Sequence, residues 1–204
     1  MALRPLPNSL FIPSLGTCNA LSYVAEQYGR QAKAVMGKAV LVLGGARSGK
    51  SGFAEQLGDA LPGPHIYIAT AQAFDDEMTR RIARHRADRA AHWQTIECPL
   101  VLPEAIKTHD AQERVILVDC LTLWLTNVML GDHDIVAARN SLARLLPAVQ
   151  GTLLLVSNEV GQGIVPDNAL ARQFRDEAGW LNQAMARAAD EVWLVIAGLP
   201  QRLK

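Results

Sequence analysis

The chain has 204 residues, half of them apolar, with 20 basic residues balancing 20 acidic ones. That length favours a single domain with a sizeable core, and the apolar share excludes a globally disordered chain. Zero net charge excludes a whole-molecule pull toward nucleic acid or an anionic membrane, and no apolar stretch approaches the ~18 residues of a membrane span.

Residues 1–36 carry Pro5, Pro7 and Pro13 and only one short stretch, Ala20 to Ala34, that could form a helix. They are expected to be a poorly ordered, dispensable N-terminal extension or the product of a misassigned start, ahead of a domain spanning 37–204. They contain no continuous apolar segment to act as a signal peptide. The three cysteines, Cys18, Cys98 and Cys120, have no metal-ligand spacing and are odd in number. Buried thiols in a reducing cytoplasm are therefore expected, with no disulfide framework.

From Ala39 the pattern alternates. Ala39 to Leu43 is an unbroken apolar run, as in a strand buried on both faces. A helix follows from Lys50 to Ala60, stopped by Pro62 and Gly63, and His65 to Ala69 is a second strand. Asp75 to Arg89 reads as a helix with acidic residues in its first turn and arginines toward its end, matching the helix dipole. Arg114 to Val118 is a third strand and Thr152 to Val156 a fourth, with helices near Leu121 to Leu130 and Ile135 to Leu146 between them. The longest helix runs from Asn168 to Ala189, where Leu170, Phe174, Ala178, Leu181, Met185 and Ala188 make one apolar, core-facing stripe. Glu191 to Ala197 closes the series as the last strand. Alternating strands and helices predict an α/β fold, a mostly parallel sheet with helices on both faces.

Gly44-Gly45-Ala46-Arg47-Ser48-Gly49-Lys50-Ser51 fits G-x-x-x-x-G-K-[ST], with a strand before it and a helix after it. Such a P-loop wraps its backbone N–H groups around phosphate at a helix N-terminus. Lys50 is expected to reach the β- and γ-phosphates of the nucleotide, and Ser51 to ligate Mg²⁺. Asp119, at the carboxyl end of the third strand, lies where ligands bind in open α/β sheets and is the second expected Mg²⁺ ligand.

Arg80, Arg81, Arg84, Arg86 and Arg89 fall within ten residues around His85. Arg81, His85 and Arg89 share a helical face if the helix continues that far. Such a face could grip polyphosphate and hold the imidazole neutral, with a lone pair free to attack phosphorus. The same segment also reads as a salt-bridged surface helix, or as a nucleic-acid patch, though balanced charge and the lack of interleaved aromatics disfavour the last. His65, His92, His109 and His133 read as structural or solvent-facing, the last two in polar connections.

These segments together resemble one family. They are GGARSGKS (Gly44 to Ser51), YIATAQAFDDEM (Tyr67 to Met78), RIARHRADR (Arg81 to Arg89), HWQTIE (His92 to Glu97), VDCLTLWLTN (Val118 to Asn127), SNEVGQGIVPDNALARQFRDEAGWLNQ (Ser157 to Gln183) and ADEVWLVIAGLP (Ala189 to Pro200). The chain resembles the bifunctional adenosylcobinamide kinase/adenosylcobinamide-phosphate guanylyltransferase family. SNEVGQGIVP is the most specific of these blocks, whereas the loop alone is shared by many unrelated enzymes.

The resemblance implies a RecA-like P-loop fold, a corrinoid substrate and two reactions. Adenosylcobinamide is phosphorylated with ATP or GTP, and GMP then passes from GTP to that phosphate through a GMP-histidine intermediate, which falls on His85. It further implies nucleotide contacts at Gly44 to Ser51, Ala69, Thr70, Ala71, Arg86, Ala87, Asp88, Arg89, Glu97 and Asp119, and a homotrimer with sites near subunit contacts. The nearest alternative is a P-loop small-molecule kinase with Arg80 to Arg89 as its lid and no guanylyl transfer. A GTP switch is disfavoured because the chain has no N-K-x-D motif, and a DNA-dependent ATPase because its charge is balanced.

Overall fold

Apolar runs bounded by glycine and proline become the strands of one sheet. The computed structural model describes residues 38–73, 75–87 and 89–204. Its strands are β1 (Lys38–Gly44), β2 (His65–Ala69), β3 (Trp93–Glu97), β4 (Val115–Asp119), β5 (Thr152–Asn158), β6 (Glu191–Ile196) and β7 (Leu199–Arg202). Their order across the sheet is β3-β2-β4-β5-β1-β6-β7. The first six pair in parallel, and β7 turns back antiparallel on β6. The helices are α1 (Lys50–Asp59), α2 (Asp76–Ala87), α3 (Leu102–His109), α4 (Leu121–Leu130), α5 (Ile135–Leu145) and α6 (Ala169–Ala188). The mostly parallel α/β sheet read from the alternation is present. Residues 1–36, read as an extension, lie outside the described residues. Among the described residues no helix is long and apolar enough to cross a membrane.

The central strands divide their side chains between two layers. Ala39, Leu41, Ile66, Ile68, Ile116, Val118, Leu153 and Leu155 pack with Leu102, Ile106, Trp124, Leu142, Leu181 and Met185 from α3 to α6. On the opposite face Val40, Val42, Tyr67, Leu117, Leu154 and Val156 meet Phe53, Ala54 and Leu57 of α1. Burial on both faces is why these strands read as unbroken apolar runs. Polar side chains mark two helix starts: the Asp134 carboxylate accepts from Ala137 N at 2.9 Å for α5, and Asn168 Oδ1 accepts from Ala171 N at 2.8 Å for α6.

Several boundaries differ from the sequence expectation. β3 is an edge strand that mixes buried, half-buried and exposed positions, so its pattern is weaker than that of the central strands. Glu191–Ile196 is followed by β7, whose Pro200 is tolerated because an edge strand need not donate on its outer side. Ala197 (φ 51°) and Gly198 (φ 79°) form the two-residue turn between them, both left-handed, which matches strand twist. α2 stops at Ala87, so Arg89 leaves the helical face it was expected to share with Arg81 and His85. On α6, Ala178, Leu181 and Met185 are buried as expected, whereas Leu170 in the first turn is 56% exposed and stands outside the core. His109 ends α3 instead of lying in a loop.

At the opposite end of the sheet from the phosphate-binding loop, Glu191 is buried beside the Lys38 ammonium, accepts from Trp193 Nε1 at 3.1 Å and lies 3.5 Å from Arg202 Nη2. Burial alone raises a carboxyl pKa, but the Lys38 and Trp193 hydrogen bonds and the Lys38 and Arg202 charges outweigh it, leaving Glu191 below its ordinary 4.5. A depressed folded-state pKa gives stability that is present above about 4.5 and lost as pH falls through the lowered value. Glu191→Gln should therefore be less stable than the parent in denaturant melts at pH 7, with the difference narrowing as the pH is taken below 4.5 to about 3. An equal difference at both pH values contradicts this assignment.

Candidate active site

β1 ends at Gly44 and α1 begins at Lys50, so the intervening residues must bend sharply from strand to helix N-terminus. Arg47 (φ 57°) and Gly49 (φ 93°) adopt left-handed conformations to do so. Gly49 also has little room for a side chain, because a Cβ there would lie 3.2 Å from Gly198 Cα in the β6–β7 turn. That turn braces the loop from outside: Gly198 N donates to Ser48 O at 2.8 Å. Lys50 is buried and donates from Nζ to Gly45 O at 3.1 Å. Ser48 Oγ is buried without a hydrogen-bond partner among the described residues. An orphaned donor of this kind is costly and calls for a ligand atom, which a phosphate oxygen would supply.

Beside the loop, at the carboxyl ends of β2 to β5, lies a cavity of about 620 Å³. This is where ligands bind in open α/β sheets, and its size suits a ligand such as a nucleotide. Of the residues singled out from sequence, Lys50, Ser51, Ala69, Ala71, Arg86, Arg89, Glu97 and Asp119 all line it. Thr70 instead lies fully buried beneath it. Its hydroxyl donates to Cys120 O at 2.8 Å and accepts from Cys120 N at 2.9 Å, tying β2 to the end of β4. Ala87 ends α2, and Asp88 lies outside the described residues. Met78, Ile82 and Arg86, at four-residue spacing on α2, run along the cavity wall. His85 falls in the last turn of the same helix, one residue from Arg86; its side chain, with those of Glu77, Arg81 and Arg84, lies outside the described set.

The arginine-rich run divides into separate tasks. Arg80 Nε bonds Asp76 O of its own helix at 3.2 Å. Arg86 pairs with Glu97, and both side chains are more than half exposed. Such an exposed pair contributes at most about 1 kcal/mol, so an incoming phosphate or ribose can compete for either partner. The Arg89 guanidinium lies over the Tyr67 ring, 3.3 Å from its centroid, and donates from Nη1 to Thr95 Oγ1 at 2.5 Å. Arg89 Nε is buried with no partner among the described residues. Tyr67 in turn donates its hydroxyl to Asp119 Oδ2 at 2.6 Å. Burial, reinforced by the Asp119 charge and hydrogen bond, holds the phenol far above its ordinary pKa, so it remains a neutral donor.

Sequence reasoning missed Tyr67, Thr95 and Asn158, which also line the cavity. Asn158 had a usable signal: like Asp119, it is a polar residue at the carboxyl end of a buried apolar strand. Its Nδ2 donates to Thr122 Oγ1 at 2.7 Å. Tyr67 sits in mid-strand and Thr95 in the unrecognised β3, so neither stood out.

Ser51 and Asp119 offer Mg²⁺ the hard oxygen donors it prefers, beside Lys50 in the same cavity. Among the described residues, no three His, Cys, Asp or Glu side chains gather into a metal cage. An ion here would take the rest of its shell from phosphate oxygens and water, as Mg²⁺ does in nucleotide sites.

Residues 40–203 match the family described as cobinamide kinase / cobinamide phosphate guanyltransferase. The chain is similar to the bifunctional adenosylcobalamin biosynthesis protein CobP of Pseudomonas aeruginosa, 51% identical over 166 residues covering 80% of this chain and 96% of that one. It is also similar to the bifunctional adenosylcobalamin biosynthesis protein CobU of Salmonella typhimurium, 46% identical over 182 residues, covering 81% of this chain and 99% of that one. CobU of Escherichia coli is 44% identical over 181 residues, with the same shares covered. A solved structure from Pyrococcus horikoshii OT3 shares the fold at 9% identity, with a TM-score of 0.54 over 88% of this chain and 91% of that one. The family match takes in nearly every described residue, loop and cavity included, and the chain belongs to the cobinamide kinase / cobinamide phosphate guanyltransferase family.

Proposed function

We propose that the cavity performs two successive transfers on one corrinoid and that His85 carries GMP between them. The chain is a bifunctional transferase of cobalamin biosynthesis. It phosphorylates adenosylcobinamide with ATP or GTP, then moves GMP from GTP to adenosylcobinamide phosphate, giving adenosylcobinamide-GDP and pyrophosphate. One observation supports a shared site above all: a single cavity joins Lys50 and Ser51 of the loop to Arg86 and Arg89, which follow His85 within four residues.

For the kinase step, the loop from Gly44 to Ser51 seats the triphosphate and Lys50 absorbs charge on the phosphoryl group as it passes to the substrate hydroxyl. Mg²⁺, held by Ser51 and Asp119, would neutralise phosphate charge when bound. For the guanylyl step, an imidazole nitrogen of His85 attacks the α-phosphorus of GTP. A P–N bond forms, the bond to the bridging oxygen breaks, and pyrophosphate leaves. A phosphate oxygen of adenosylcobinamide phosphate then attacks the GMP phosphorus and the P–N bond breaks, restoring His85. Arg86 and Arg89 supply positive charge for these phosphates, while Glu97, Ala69 and Ala71 complete the nucleotide contacts, and Ala87 and Asp88 are the further contacts that the resemblance implies.

The homotrimer implied by the resemblance and the cytoplasmic setting expected from the cysteines belong to the same proposal. So does the division into an extension at 1–36 and a catalytic domain at 37–204, which the family match at 40–203 supports. The free, buried thiols of Cys98 and Cys120 suit a reducing compartment.

Incubating the purified protein with adenosylcobinamide, ATP and GTP should give the phosphate first and the GDP-linked corrinoid second, resolved by chromatography. If the phosphate accumulates and no GDP-linked product forms, the chain is a kinase with an arginine-rich lid and the second transfer is wrongly assigned. The same preparation should scatter light as a trimer, and a monomer would overturn that part.

A further inference from the structure

We infer that Tyr67 is a positioning residue shared by both transfers, its hydroxyl setting the Asp119 carboxylate and its ring seating the Arg89 guanidinium. The inference rests on the roles proposed above for Asp119 and Arg89. Tyr67 occupies the middle of β2, which pairs with β4 in the register Tyr67↔Leu117 and Ala69↔Asp119. From there its side chain runs along the sheet to the end of the neighbouring strand, where the hydroxyl reaches Asp119 Oδ2 at 2.6 Å. A carboxylate with one oxygen so committed cannot rotate freely and keeps its second oxygen for a ligand.

The ring serves the other half of the site. Arg89 follows the end of α2 and is held on two sides, by the Tyr67 face at 3.3 Å and by Thr95 Oγ1 at 2.5 Å. Its Nε remains without a partner among the described residues. Tyr67 is only 2% exposed, packed against Trp93 edge-on at 6.2 Å between centroids, so the platform itself is fixed. A single side chain thus sets the distance between the carboxylate of the loop's neighbourhood and a cation from the His85 segment.

The two contacts can be separated. Tyr67→Phe keeps ring and packing but removes the bond to Asp119. Titration calorimetry with a non-hydrolysable GTP analogue should show that the factor by which Mg²⁺ tightens binding shrinks about tenfold in this variant. The ratio of the two transfer rates should stay at the parent's value. Arg89→Lys keeps the charge but loses the flat stacking surface. It should slow enzyme–GMP formation about tenfold more than kinase turnover, and in a Tyr67→Leu background it should cost nothing further.

An unchanged Mg²⁺ effect in Tyr67→Phe, or fully additive losses in the double variant, overturns the inference. Should Tyr67→Leu fail to fold, Tyr67→Phe and single Arg89→Lys still decide it. Asp119→Asn and Arg89→Ala separate the two levels. If they leave Mg²⁺ dependence and guanylylation at the parent's level, the assignment of the site fails and the inference with it. If they impair both while Tyr67→Phe and Arg89→Lys behave as the parent, only the role of Tyr67 is wrong.

Discussion

His85→Ala should abolish covalent labelling of the protein by α-labelled GTP and stop formation of the GDP-linked corrinoid, while leaving kinase turnover substantial. Only the guanylyl step needs a nucleophile on the enzyme, because the kinase step passes its phosphoryl group directly to the substrate hydroxyl. Removing an enzyme nucleophile costs on the order of 10⁴ or more in rate, so the labelled band should vanish. The parent's adduct should be a phosphoramidate, lost in acid and stable in alkali, unlike an ester on Ser48 or Ser51. Arg84→Ala should weaken labelling without eliminating it, since an arginine supplies charge but no lone pair. Loss of kinase turnover to the same degree in the His85 variant would mean that the residue supports the fold or the nucleotide, and the separation of the two chemistries would be wrong.

Lys50→Ala should damage both reactions, since each needs a triphosphate seated in the same loop. A charge-assisted contact to phosphate contributes roughly 2–4 kcal/mol to the transition state, so kcat/KM should fall by some 10² to 10³ for each step. Lys50 donates to Gly45 O of its own loop, while α1 is anchored by Phe53, Ala54 and Leu57 in the core. The loss should therefore appear in turnover more than in melting temperature. Kinase turnover at the parent's rate would contradict the assigned role of the loop.

Much of this architecture was legible in the residues, for identifiable reasons. The central strands are buried on both faces, so Ala39 to Leu43 and Thr152 to Val156 could hardly be anything else. The phosphate-binding loop was legible because its chemistry depends on backbone shape, which glycine spacing records. Asp119 was legible from its place at a strand end. The missed elements lie at the margins, where the hydrophobic signal is diluted. α3 did carry helix signals, with Pro103 near its start, Glu104 in its first turn and Lys107 and His109 in its last, but it is only eight residues long.

Side-chain partnerships were less legible than elements. Five arginines in ten residues announced a cationic segment, but not that Arg86 pairs with Glu97 while Arg89 settles on Tyr67. Those pairings depend on where α2 stops and on β3 lying beside β2, neither of which the local pattern determines. Tyr67 looked like an ordinary strand aromatic because its inferred function comes from neighbours 22 and 52 positions away, at Arg89 and Asp119.

The central claim is that GMP rides on His85, and locating the adduct tests it directly. The protein should be mixed with GTP and Mg²⁺, quenched in alkali to preserve a phosphoramidate, digested, and its peptides sequenced by tandem mass spectrometry. The account predicts the mass of GMP on the peptide from the end of α2, with fragment ions placing it on His85. Finding it instead on His65, on His92 or on a serine of the phosphate-binding loop would contradict the account.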